Sequence, residues 1–336
     1  MKPLKRTALL LSTLVMLPVI AGLSGAQSQE TPLLSLEAKI GLGEVKGRID
    51  HMAMDLARNR LFVAELENNS LGVVDLKERK VAHVITGLME PQGVGYEPST
   101  DTVYVANGGD GSVRLYRGED YAETGRIDLG DDADNIRVDP TTKHVLVGYG
   151  AGGIATIDPA TRTKIAAFPL PAHPEGFQLD LKNNQIVVNV PRARAIAVLD
   201  GGSGQRKALW SMKESGANFP MALDEDAQRV LVAFRSPPKL GVFSARGGES
   251  IASVDVCGDA DDLFVDAKRG RVYVSCGEGF LDVFDAHAGD YHRLARVPTV
   301  RGARTSYYVA SVDRLFLAVR AASLEPAAVW VYRPAP

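Results

Sequence analysis

Along most of the chain, short apolar stretches alternate with polar turns rich in Gly, Asp and Asn, and one three-part pattern keeps returning. An apolar strand ends in an acid, a polar turn follows, then a second apolar strand, then a third that often ends near Asp. The first copy is HMAMD at 51–55, LFVA at 61–64 and LGVVD at 71–75. The next three begin with GVGYE at 93–97, NIRVD at 135–139 and GFQLD at 176–180. The last three begin with PMALD at 220–224, DLFVD at 262–266 and SYYVA at 306–310. With the closing acid as anchor, the copies stand at Asp55, Glu97, Asp139, Asp180, Asp224 and Asp266, with Ala310 in the seventh. The steps between them are 42, 42, 41, 44, 42 and 44 residues.

A near-constant step of this size is the period of a four-stranded propeller blade, about 40–45 residues. Short alternating strands separated by turn residues exclude helical and leucine-rich repeats. A fourth apolar stretch, such as VAHVITG at 81–87 or ESIASVDV at 249–256, completes each copy. Each blade thus has strands a to d, with a innermost. The seventh copy has only three strands before Pro336. A donor for its missing outer strand lies upstream, where Leu34, Leu36, Ala38 and Ile40 alternate with Ser35, Glu37 and Lys39. The expectation is an all-β, seven-bladed β-propeller whose last blade is completed by an N-terminal strand.

Before the repeats, Lys2, Lys5 and Arg6 precede an apolar run from Ala8 to Leu23, which ends in Ser24-Gly25-Ala26 before Gln27. A basic start, an apolar core and small residues at the exit describe a secretory signal peptide over 1–26, leaving 27–336 as the propeller. A membrane anchor is the other reading of such a run, but Pro18 interrupts it and it falls short of the ~20 apolar residues a span needs. No later stretch reaches membrane length, so no transmembrane segment is expected in the mature chain, and the protein is expected to be periplasmic or secreted. Thirty-eight Lys and Arg against 41 Asp and Glu, with no basic run after the leader, give no sign of a nucleic-acid partner. Nothing in the pattern calls for a second copy, and a monomer is expected.

The repeats resemble the YVTN/YncE-type bacterial β-propellers, on VYVAN at 103–107, LFVAELENNSLGVVDL at 61–76 and VYVSC at 272–276, over residues 34–333. The Trp-Asp and Gly-His signatures of WD40 repeats are missing. The resemblance implies an exported seven-bladed propeller, often a binding module at the cell envelope, and supplies no catalytic motif. Seven-bladed propellers also include, more distantly, metal-dependent lactonases and streptogramin-type lyases, but no local motif of either aligns here.

In a propeller the d–a and b–c loops share the face at which strand a starts, here called the top. Four to six residues before each anchor stand Asp50 and His51, Gln92, Asp134 and Asn135, Glu175, Asn218, Asp261 and Asp262, and Arg304 with Thr305. His173 and Arg301 lie slightly further back in the same loops. These residues are the candidate ligand-binding set. Asp50, Asp134, Glu175 and Asp261 offer hard oxygens of the kind that hold Ca²⁺ or Mg²⁺, and His51 or His173 would favour a transition metal. The alternative is a solvated channel whose polar groups satisfy one another and water. Arg301 and Arg304 suit either ion pairing with Asp261 or Asp262, or capture of a carboxylate or phosphate. GGDGS at 108–112 and GAGG at 150–153 join strands and read as tight turns.

Cys257 and Cys276 both fall at the top of neighbouring segments, 19 positions apart, and are either a disulfide or two buried thiols. The function expected is recognition of a small ligand, peptide or protein at the mouth of the channel. The alternatives are a metal-dependent, lactonase-like lyase or hydrolase, with His51 or His173 as base or ligand, and an inert interaction scaffold.

Overall fold

A computed structural model describes Met1 and residues 32–212, 215–287 and 289–336 of the chain; the leader read over 1–26 lies almost wholly outside these described residues. Among the described residues, twenty-eight strands, β1–β28 in chain order, form seven four-stranded sheets. The first blade shows why this sequence makes them. Its inner strand β2 (Met52–Asp55) and second strand β3 (Arg60–Glu65) are buried almost throughout, while β4 (Ser70–Asp75) is buried except at its end. The outer strand β5 (Lys80–Thr86) exposes most of its residues. Central strands covered on both faces therefore read as continuous apolar runs, and outer ones carry charge on their open side.

The inner strands are β2, β6 (Pro91–Glu97), β10 (Ala133–Val138), β14 (Phe177–Asp180), β18 (Gly216–Asp224), β22 (Ala260–Asp266) and β26 (Ser306–Val309). Each touches the next, and β26 touches β2, so the ring is closed. Apolar clusters fill the spaces between adjacent blades. Blades 1 and 2, for example, share Phe62, Leu71, Val94 and Val103, and blades 3 and 4 share Leu146, Ile154, Phe177 and Ile186. A side chain such as Phe62, fully removed from water, contributes about 1.5–3 kcal/mol.

The closing strand is β1 (Leu34–Gly41), which pairs antiparallel with β28 (Ala328–Pro334) from Leu34↔Pro334 to Gly41↔Ala328. Its sheet runs β1-β28-β27-β26, where β27 is Arg314–Val319. Glu37 accepts from both Arg314 and Arg333, and Lys39 bonds Glu325 at 2.6 Å.

The repeating acid sits at the a–b turn beneath six of the seven blades. Asp55 accepts the amides of Ala57 and Arg58 at 2.9 and 3.1 Å. Glu97 does the same for Ser99 and Thr100, and Asp139 for Thr141 and Thr142. Ala310 does not belong to this series. In the sixth blade Asp266 pairs with Arg271, and in the seventh it is Val309 that pairs with Arg314. The last step is therefore 309 − 266 = 43 residues rather than 44. The acid itself is missing from that turn, which left the sequence pattern one residue out of register.

A disulfide joins Cys257 and Cys276, with Cα atoms 5.8 Å apart. It ties the d–a segment of blade 6 to the top of that blade's second strand. Among the described residues no helix is long and apolar enough to cross a membrane.

Candidate functional site at the channel mouth

Counting back five residues from each turn position (55, 97, 139, 180, 224, 266 and 309) reaches Asp50, Gln92, Asp134, Glu175, Phe219, Asp261 and Arg304. All seven line one cavity of about 730 Å³ that draws residues from every blade, so it lies on the axis. It reaches down to Met54 and Tyr96, one residue above the turns, or about 13 Å below the ring at the usual strand rise. Close approach of the inner strands needs small residues. A Cβ at Gly93 would sit 2.0 Å from the backbone carbonyl oxygen of Asp134, so this glycine lets the backbone of blade 3 close against that of blade 2.

Charges around the ring are largely matched. On one side Arg48 Nη2 lies 2.7 Å from Asp50 Oδ2. Arg304 Nη1 donates to both oxygens of Asp259 at 2.9 and 3.0 Å, and its Nε lies 2.9 Å from Asp261 Oδ2. Asp50 Oδ2 and Asp261 Oδ2 nevertheless lack a hydrogen bond of good angle, so these two contacts are electrostatic rather than directional. Arg235 contacts Asp261, donates from Nε to the Ala260 carbonyl at 2.8 Å, and covers the Phe219 ring at 4.1 Å.

On the other side His173 Nδ1 lies 2.7 Å from the Gly150 carbonyl, an acceptor only, so Nδ1 carries the proton. Its Nε2 is 3.8 Å from Asp134. Gln92 donates to Asp132 at 3.1 Å. His51 sits between Asp50, at 3.8 Å, and Asp262, at 3.9 Å, while Asp262 also accepts the Ser306 amide at 2.7 Å.

These surroundings shift several groups toward their protonated forms. Burial opposes the His173 imidazolium, but Asp134, the Gly150 carbonyl and Asp132 outweigh it and hold its pKa up at about 9. Burial likewise opposes the His51 imidazolium, yet Asp50 and Asp262 raise it above its ordinary value. Burial pushes Asp262 up to about 7. Glu175 is pushed up to about 8, first by burial and then by the nearby Asp134 carboxylate. Among the described residues the Glu175 carboxyl has no hydrogen-bond or ion-pair partner, so it faces the cavity ready to pair.

Of the predicted set, Asp50, His51, Gln92, Asp134, Asn135, His173, Glu175, Asp261, Asp262 and Arg304 line the cavity. Asn218, Arg301 and Thr305 do not. Asn218 stands six residues before its turn, in a column that is buried in every blade (Ile49, Pro91, Ala133, Pro174, Asn218, Ala260 and Ala303). Its amide donates to Asn189 and to the Ala195 carbonyl, both at 3.1 Å, a structural role. Arg301 is exposed outside the cavity. Thr305 is buried and bonds the Ile49 carbonyl at 3.3 Å.

The metal candidates Asp50, His51, Asp134, Glu175 and Asp261 do not converge as a ligand set. Among the described residues no three His, Cys, Asp or Glu are grouped to hold an ion, because arginines face Asp50 and Asp261 instead. Sequence reasoning missed Phe219, which a strict five-residue offset finds, and Arg137, the one charged side chain at its level of the inner strands. It also missed Arg235, which arrives from a second strand and leaves no trace in the first.

No family model matches the chain, and no curated protein matches it. Solved structures do share its fold. A chain of Kuenenia stuttgartiensis hydrazine synthase is similar at 18% identity and a TM-score of 0.75, covering 87% of this chain and 98% of that one. A chain of the mitotic checkpoint complex is similar at 13% identity and a TM-score of 0.75, covering 97% and 98%. At these identities the likeness is one of fold alone.

Proposed function

We propose that this chain is an exported binding propeller of the YVTN/YncE type that takes a small ligand into the top of its central channel. One observation carries the reading: the seven side chains at a single register position, which are of five types (Asp three times, with Gln, Glu, Phe and Arg), line one axial cavity, and the Glu175 carboxyl among them has no hydrogen-bond or ion-pair partner among the described residues. Repeats selected only to fold could use one residue seven times, whereas an asymmetric ligand needs unlike groups around it. The concave shape favours a small molecule over a docked protein surface. Large exposed apolar residues are spread over the outer strands, as with Val84, Ile165, Leu209, Ile251 and Leu294, rather than gathered at the mouth. Export is supported by the leader pattern and by the Cys257–Cys276 bridge, which persists in oxidising compartments.

A ligand-observed NMR screen with small polar fragments tests this. Hits should weaken at least tenfold on Glu175→Gln or Phe219→Ala and be unchanged on Asp55→Asn beneath the ring. Hits insensitive to both upper substitutions would overturn the reading.

A further inference from the structure

Below the mouth ring the channel holds a second ionisable group without an ion-pair partner among the described residues. Arg137 lies on β10, two residues before its turn and so about 10 Å beneath the ring. It is half-buried and lines the cavity. Its Nη1 donates to the carbonyl of its neighbour Ile136 at 2.7 Å, and the guanidinium lies over the Phe177 ring at 5.4 Å. No carboxylate stands within ion-pair distance of it among the described residues. Burial pulls its pKa below the usual guanidinium value, with Asp262 and Asp134 only attracting it from further off. A half-buried cation without a counter-charge costs a fold stability, and such an arrangement persists where a ligand supplies the missing charge.

The same level of the channel describes what that ligand looks like. Phe264 and Tyr307 form an aromatic wall, their rings 6.2 Å apart and nearly perpendicular. Burial raises the Tyr307 pKa, so its hydroxyl is a neutral donor, and it has no partner among the described residues. Ala53, Gly95 and Ala222 stand at this level in other blades and leave open space. A single guanidinium fork, with the Tyr307 phenol at the same level of the channel, offers donors for the two oxygens of a planar anion. The acids of the ring make a second negative charge unwelcome.

We propose that the level around Arg137 is a carboxylate-binding subsite, and that the ligand is a monocarboxylate with a flat apolar body. This rests on the channel-mouth reading and deepens it.

Benzoate is the probe, with benzamide and inorganic phosphate as controls, followed by thermal shift and saturation-transfer NMR at constant ionic strength. Benzoate should bind the wild-type protein at least tenfold more tightly than benzamide or phosphate. Arg137→Gln should abolish that preference, and ligand-free Arg137→Met should melt above the wild type. Equal binding of benzoate and benzamide, phosphate binding as tightly as benzoate, or unchanged benzoate binding by Arg137→Gln would overturn the subsite. A lower melting point for Arg137→Met would do the same by making the residue structural. Should both variants fail to fold, the wild-type preference for benzoate over benzamide still decides. Fragments that respond to Glu175→Gln while benzoate does not bind would remove the subsite and leave the mouth reading standing.

Discussion

The two ends of the inner strands obey different rules. Underneath, six blades use the same device, an acid that accepts bonds from its own turn, although turn residues such as Arg58 and Arg269 also reach Asp101 and Asp313 of the next blade. Asp180, for instance, is buried and bonds both the amide and the side chain of Asn183, at 3.1 and 2.7 Å. On top, no single device serves all seven blades, and the partners come from elsewhere in the ring: Arg304 of blade 7 reaches Asp259 and Asp261 of blade 6, and Gln92 of blade 2 reaches Asp132 at the start of blade 3. Repetition marks the end that folds the blade, and it breaks down at the end proposed to bind the ligand.

The bluntest way to break this comparison is to open the ring. Deleting residues 33–41 removes buried Leu34 and Ile40 and leaves β28 as a bare edge. We expect a loss of several kcal/mol or outright aggregation, read by melting and light scattering. Unchanged melting would refute closure by β1.

A smaller loss, confined to the top, should follow Cys257→Ser with Cys276→Ser. The bridge closes a 19-residue separation that brackets Asp259, Asp261 and Asp262. Its removal should cost about 3 kcal/mol in the chain-entropy picture. Thiol titration of the denatured, unreduced protein should find no free thiol in the wild type.

Beneath the ring, Asp55→Ala removes two amide bonds and a 2.7 Å bond from Arg58 at a carboxylate that is 1% exposed. Denaturant titration should show a loss of about 2–3 kcal/mol. A neutral result would mean that the repeated acid is not what holds the turn.

The smallest effect, of opposite sign, belongs to Glu175. A glutamate titrates near 4.5 when unfolded and here at about 8. Between those values the native state keeps a proton that the unfolded chain has lost, so this group's contribution to stability falls as pH rises from about 4.5 to about 8. Glu175→Gln keeps a neutral side chain throughout. The variant should match the wild type near pH 4 and exceed it by roughly 1–3 kcal/mol at pH 9, allowing about 1.4 kcal/mol per pKa unit and partial access of water. A gap that does not widen with pH would place Glu175 in contact with a counter-charge.

The fold was legible because its signals are local and repeated: strand alternation, a turn acid, a fixed period. It failed by one residue only in blade 7, where Val309 occupies the place of the acid and the pattern slid to Ala310. The mouth was legible in part, since a fixed offset from a turn fixes height along the channel. Offset alone does not say which face of the strand a residue takes, so Asn218 entered the set although its column is buried, and Phe219, one residue on, was left out. Partners from other strands were invisible. Arg235 pairs with Asp261, which looked like a metal ligand, and no spacing within the inner strands announces it.

The measurement that tests the division most directly is unfolding free energy at pH 8 for two pairs of variants, Asp55→Ala and Asp180→Ala below against Glu175→Gln and Arg137→Met above. If the top is shaped for a ligand rather than for folding, both lower variants lose about 2 kcal/mol or more while both upper ones match or exceed the wild type. Upper variants as destabilised as the lower ones would mean that the ring at the mouth is scaffolding too, and would contradict the account.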